Sequence, residues 1–241
     1  MRRSRLSILS VCLLVSACTP VACGFGLEKD APANGAASGA AAPAQPADPA
    51  APPARPRIVA LGDSLTIGLG LLESESFPSR LQEKIDEDGY QFEMINAGVS
   101  GDTSAGGLRR LDWALEGNVR VMLLALGAND GLRGLSIAEM KQNLTTIIER
   151  ARERNIVVIL VGMEAPPNYG PEYVQSFRAA FREVAGKERV LFLPFLLDRV
   201  AGVTTLNQAD GIHPNADGAR QIAENVWPVL RSVLDQMAAA Q

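Results

Sequence analysis

From residue 57 onward, short continuous apolar runs alternate with amphipathic stretches, and few architectures accommodate that order. The runs 58–61, 92–95, 119–126, 156–161 and 190–195 have strand length and are mostly aliphatic at consecutive positions. A strand with one wet face alternates in polarity, whereas a strand covered on both faces does not. These runs therefore predict strands of a parallel sheet buried on both sides. Between them lie helical patterns. Ser76 and Pro78 open one that carries Leu81 and Ile85 on a single face, and Ser136 with Glu139 forms a capping box ahead of Met140, Leu144, Ile147 and Ala151. A third runs from Pro171 through Val174, Phe177 and Phe181. The last, 215–237, carries Ile222, Val226, Val229 and Val233, with Pro228 expected to kink it. The alternation predicts an α/β domain, a three-layer α/β/α sandwich with about five parallel strands, over residues 57–241. With 47% hydrophobic but only 5% aromatic residues, its core is expected to be aliphatic.

The first 56 residues do not belong to that pattern. Arg2, Arg3 and Arg5 precede an apolar run over 6–15, followed by Ser16, Ala17 and Cys18. This is the order of a secretory signal peptide, here residues 1–17, and the run is about half the roughly 20 residues needed to cross a bilayer. Val15-Ser16-Ala17-Cys18 also resembles the lipobox of bacterial lipoproteins, in which the cysteine is lipidated and becomes the first mature residue. Ordinary cleavage after Ala17 is the alternative, and Pro20-Val21-Ala22-Cys23 is a weaker competitor. Cleavage at Ala17 removes three arginines and no acidic residue, taking the net charge from −4 to −7. It also removes Cys12, so the folded domain contains no cysteine and does not depend on disulfides. Residues 31–56 hold 12 Ala and 7 Pro and no Val, Ile, Leu or aromatic residue. Such a segment buries too little apolar area to fold, so 18–56 reads as a tether. The expected location is the bacterial cell envelope, membrane-anchored and facing the periplasm.

In parallel sheets ligands bind beyond the carboxyl ends of the strands, so the residues after each apolar run carry the functional information. Gly62-Asp63-Ser64-Leu65 follows the first run, and Asn96-Ala97-Gly98-Val99-Ser100-Gly101-Asp102 follows the second. Gly127-Ala128-Asn129-Asp130 follows the third, and Asp210-Gly211-Ile212-His213-Pro214 precedes the last helix. A serine is a poor nucleophile at neutral pH and needs a base, which in turn needs an orienting carboxylate. The chain has one histidine. If Ser64 is the nucleophile and its base is an imidazole, the base is His213, and Asp210 is the natural orienter. Negative charge on a tetrahedral intermediate would then be met by the N–H groups of Ser64 and Gly101 and by the side-chain amide of Asn129. The scheme requires no metal and no cofactor. Acidic overall charge without a basic run excludes nucleic acid as a default partner.

Taken together, these residues resemble the blocks of the GDSL or SGNH hydrolases. Gly62-Asp63-Ser64-Leu65 is similar to the first block, Gly101 to the glycine of the second, Gly127-Ala128-Asn129-Asp130 to the third, and Asp210-x-x-His213 to the fifth. Longer matches, among them Ser100-Gly101-Asp102-Thr103-Ser104 and Pro167-Asn168-Tyr169-Gly170, resemble the branch of arylesterases, lysophospholipases and acyl-CoA thioesterases. The resemblance implies a flavodoxin-like sheet, an acyl-serine mechanism and small acyl ester or thioester substrates. One departure is Ala128, where that branch often carries glycine; it would crowd the space beside Asn129.

Further expectations are of two kinds. Asp63, Asp102 and Asp130 are expected to cap helices or hold loops by accepting backbone N–H groups. Arg133 reads as a solvated loop residue, and Tyr169 either lines an acyl groove or packs. Without a large lid insertion the groove is expected to be shallow and the protein a monomer. Two other functions remain open at this point: a carbohydrate O-acetylesterase of the envelope, and an inactive binding lipoprotein on a hydrolase scaffold.

Overall fold

Each of the five apolar runs becomes a strand of one parallel sheet in a computed structural model that describes residues 55–240. The signal peptide, Cys18 and the tether up to residue 54 lie outside the described residues. The strands are β1 (Arg57–Gly62), β2 (Glu93–Gly98), β3 (Val119–Ala125), β4 (Val157–Val161) and β5 (Leu191–Leu193), in the spatial order β2-β1-β3-β4-β5. Helices α1 (Ser64–Ile67), α2 (Phe77–Glu87), α3 (Ser104–Arg109), α4 (Leu111–Ala114), α5 (Ala128–Leu132), α6 (Ile137–Glu153), α7 (Pro171–Glu188) and α8 (Ala216–Ala239) connect and cover them. α2 packs with α8 and α6 with α7.

The core is aliphatic around the sheet, as its composition demands. Ile58, Leu61, Leu123, Leu124 and Leu160 are fully buried, and Phe177 and Phe181 of α7 meet edge to face at 5.3 Å. Each such side chain contributes on the order of 1.5–3 kcal/mol of burial free energy. The two edge strands depart from expectation. β2 is only half-buried along most of its length, and it runs on through Asn96 and Gly98, which the sequence assigned to a loop. Gly98 is paired with Gly62, and a Cβ at Gly98 would sit 2.2 Å from the Ile67 nitrogen, so only glycine lets α1 lie this close to β2. β5 has three residues rather than six: the Gly162 N–H donates to the Leu193 carbonyl, but the Gly162 carbonyl accepts from the Leu196 N–H, one residue beyond the ladder's register.

Helix starts follow the predicted signals. Ser76 caps α2 by accepting from the Ser79 N–H, with Pro78 in the first turn. Ser136 accepts from the Glu139 N–H, one half of the expected capping box. Helical backbone continues across Pro228 to Ala239. The short helices α1, α3, α4 and α5 have too few residues to show a period and were not anticipated. Strand order reverses between β1 and β3, which places the segments after these two strands on either side of the crevice where open α/β sheets bind ligands.

Candidate active site

Ser64 is the first residue of α1, immediately beyond the end of β1. The residue before it, Asp63, caps that turn: its Oδ1 accepts from the Leu65 N–H at 3.1 Å. Asp63 is 1% exposed, and burial raises its carboxyl to about 6, opposed by the bonds from the Leu65 N–H and the Asn129 amide. The nucleophile turn therefore stands on a desolvated acid.

His213 reaches Ser64 from the other end of the chain. Its Nε2 lies 3.0 Å from Ser64 Oγ, and its Nδ1 lies 2.6 Å from Asp210 Oδ2. The carboxylate partner keeps the imidazole proton on Nδ1 and leaves Nε2 as the acceptor for the serine hydroxyl. The second Asp210 oxygen accepts from the Ile212 and His213 N–H groups, each at 3.0 Å. Those bonds, with the imidazole first among them, lower the Asp210 carboxyl to about 2. The three residues that the sequence singled out are thus one hydrogen-bonded line.

Of the three expected oxyanion donors, Ser64 and Asn129 share a cavity wall with His213, and Gly101 is linked to Asn129 through the carbonyl of its neighbour Asp102. Gly101 sits in a turn at φ +81°, a left-handed conformation that favours glycine. Neither its N–H nor that of Ser64 has a protein acceptor among the described residues. The Asn129 amide is already occupied: it donates to the Asp102 carbonyl at 2.9 Å and, more weakly, to Asp63 Oδ2 at 3.3 Å.

The surrounding residues divide between expectation and correction. Asp130 does accept a backbone bond, from the Ser104 N–H at 2.8 Å, and also takes the Ser104 hydroxyl at 2.6 Å. Among the described residues the Asp102 carboxylate accepts no such backbone bond; it pairs with Arg110 Nε at 2.6 Å. Arg133 is exposed, as expected of a solvated loop residue, and its guanidinium also donates to the Gly101 carbonyl at 2.8 Å. Tyr169 packs: its hydroxyl donates to the Leu132 carbonyl and its ring lies 5.3 Å from that of Tyr173.

Two residues with structural roles in the site went unnoticed in the sequence. Arg110 donates to Asp102, to the Ala97 carbonyl and to the Gly62 carbonyl, tying the ends of β1 and β2 to the Gly101 turn. Gln208 donates to the Leu69 and Pro214 carbonyls, while its N–H bonds the His213 carbonyl at 2.7 Å. It pins the histidine loop to the nucleophile segment. Arg110 stands beside Arg109 as one of an ordinary charged pair, and Gln208 lies in an unpatterned loop, so neither announces itself.

Ser64, Asn129 and His213 open onto a cavity of about 350 Å³ whose other walls include Leu65, Ala128, Leu132, Met163, Pro166 and Phe195. That size is at the lower end for small-ligand pockets. Ala128 does stand beside Asn129 in the wall. Glu164 is the one ionisable side chain in the lining apart from His213, and Arg178 neutralises it at 2.7 Å.

Comparison with known proteins supplies the family. Esterase TesA of Pseudomonas aeruginosa is 42% identical over 178 residues, covering 73% of this chain and 89% of that protein. Thioesterase 1/protease 1/lysophospholipase L1 of Escherichia coli K12 is 36% identical over 168 residues, 69% of this chain and 79% of its own. The crystal structure of the psychrotrophic esterase EstA from Pseudoalteromonas sp., inhibited by monoethylphosphonate, superposes with a TM-score of 0.71. It is 35% identical and covers 74% of this chain and 98% of that one. Residues 60–221, which hold every element of the site, match the GDSL-like Lipase/Acylhydrolase family, and the chain belongs to it.

Proposed function

We propose that this protein is a serine hydrolase that cleaves carboxylic esters, and acyl thioesters, through an acyl-Ser64 intermediate. The observation that carries the reading is the line Asp210–His213–Ser64 opening onto an apolar cavity. His213 Nε2 takes the Ser64 proton as Oγ attacks the acyl carbon, and Asp210 holds the resulting imidazolium. The N–H groups of Ser64 and Gly101 and the Asn129 amide receive the oxyanion, the last by releasing its long bond to Asp63. His213 then protonates the departing alcohol or thiol and activates the water that frees the acid.

An apolar cavity of this volume favours acyl chains longer than acetyl over a deacetylase role, and the intact triad counts against a retired scaffold. The relatives named as esterase and lysophospholipase point the same way. A scan of p-nitrophenyl esters tests this: rates sustained on medium chains, and abolished by a phosphonate ester from which Ser64 displaces p-nitrophenoxide, are expected. Collapse beyond acetyl would instead identify a deacetylase.

Export and anchoring form part of the same reading. Cys18, at the lipobox-like segment, carries the lipid, and residues 18–56 hold the domain off a bacterial envelope membrane on its periplasmic side. Cys18→Ala is expected to release the protein from membranes; unchanged partitioning would refute the anchor.

A further inference from the structure

Parallel strands give the sheet two chemically distinct edges, and exposed apolar side chains are not shared evenly between them. Among the described residues eleven large apolar side chains are exposed, and nine stand on segments that follow the carboxyl ends of strands. Leu69 and Leu72 follow β1, Val99 follows β2, Leu135 follows β3, and Val203 and Ile212 follow β5. The exceptions are Trp113 on α4 and Leu191 on β5. The connections at the opposite edge are polar, with Asp88 and Gln91 before β2, Glu116 and Asn118 before β3, and Arg154 and Asn155 before β4.

The apolar edge is the edge that carries Ser64 and His213, and it is continuous with the cavity: Leu132 and Ile212 are both exposed and part of the cavity wall. Leu72, 69% exposed, is the most solvated of the set. Clustered exposed apolar surface around a site marks a place where water is displaced by a partner. We infer that this edge docks on a lipid surface of zwitterionic head groups, so that the cavity is filled directly from the lipid layer.

Two further observations select that partner. The net charge without the three N-terminal arginines is −7, so attraction to anionic head groups is not the driving force, and apolar contact is. The described domain begins at the other edge, where Arg57 opens β1. Thirty-seven residues, Cys18 to 54, separate the expected lipidation site from the described domain. A domain of this size has a radius of gyration of about 16 Å. A tether of that length leaves the active-site edge free to turn toward a membrane that holds the chain by Cys18. This step rests on the esterase reading above.

The test compares the full chain with the full chain carrying Leu72→Ser, Leu135→Ser and Val203→Ser. These positions lie on three different loops and none lines the cavity. Hydrolysis of dissolved p-nitrophenyl acetate is expected to stay within twofold, which also reports independently on the esterase chemistry. Hydrolysis of a p-nitrophenyl palmitate dispersed in phosphatidylcholine vesicles is expected to fall at least tenfold, with no rescue by adding phosphatidylglycerol. Equal rates of wild type and variant on vesicles would overturn the docking. So would a concentration-dependent wild-type dimer that the triple variant abolishes while vesicle rates stay equal, since the edge would then face a second copy.

Discussion

Asp63 and Asp210 are both within reach of the Ser64–His213 pair, and the protein treats them in opposite ways. Asp63 is sealed under the nucleophile turn, with its carboxyl raised to about 6 by burial. Asp210 stands on a half-exposed loop, its carboxyl lowered to about 2 by the imidazole and two backbone N–H groups. The difference extends to everything around them. The nucleophile half hangs on β1, β2 and β3 through Arg110 and Asn129, whereas the base half is a loop fastened by Gln208, by the Asn207–Pro214 bridge and by Asn207 amide bonds to Val200 and Val203. One half is hydrogen-bonded into the ends of the sheet, the other is hydrogen-bonded within surface loops. Substitutions should therefore cost stability on one side and mainly rate on the other.

The largest effects come from cutting the line between the halves. Ser64→Ala and His213→Ala are each expected to lower kcat by roughly ten-thousand-fold or more, and the double variant no further, because the two act as one unit. Substantial residual turnover of a p-nitrophenyl ester by either single variant would break the assignment. Asn129→Ala is expected to lower kcat roughly 100- to 1000-fold with KM little changed, the loss typical of one oxyanion donor.

Structural support on the nucleophile side comes next. Arg110→Met strands a mostly buried carboxylate and two carbonyls, and is expected to cost about 3 kcal/mol in chemical denaturation. Asp63 adds a pH signature. An unfolded carboxyl ionises near 3.8 while the buried one keeps its proton to about 6, so ionisation favours the unfolded chain across that window. Relative to Asp63→Asn, wild-type stability is expected to fall by up to about 3 kcal/mol as pH rises from 4 to 7 and then level off. A constant difference across that range would mean that Asp63 titrates normally. The base side supplies the smallest effect: Gln208→Ala is expected to lower kcat about tenfold through a misplaced imidazole, while the melting temperature moves by only about 2 °C.

The same contrast explains what the sequence disclosed. Ser64, His213 and Asp210 were legible because acyl transfer needs particular functional groups, and a lone histidine leaves one choice of imidazole base. The sheet was legible because burial on both faces forces uninterrupted aliphatic runs such as 119–126. Arg110 and Gln208 were not, since, Asp102 apart, their partners are backbone carbonyls, which any sequence supplies. Nor was the occupied state of Asn129, which depends on where the Asp102 carbonyl points. β2 was misplaced by its first and last residues because an edge strand needs apolar residues only toward the core.

The hydrogen bond between Ser64 and His213 spans 149 positions of the chain. A contact that distant forms late, after local turns and the first strand pairings. A growing chain thus lacks the partner of Ser64 until residues 207–214 have been made and meet Leu69 through Gln208. Order of synthesis therefore places the base last among the three residues of the line.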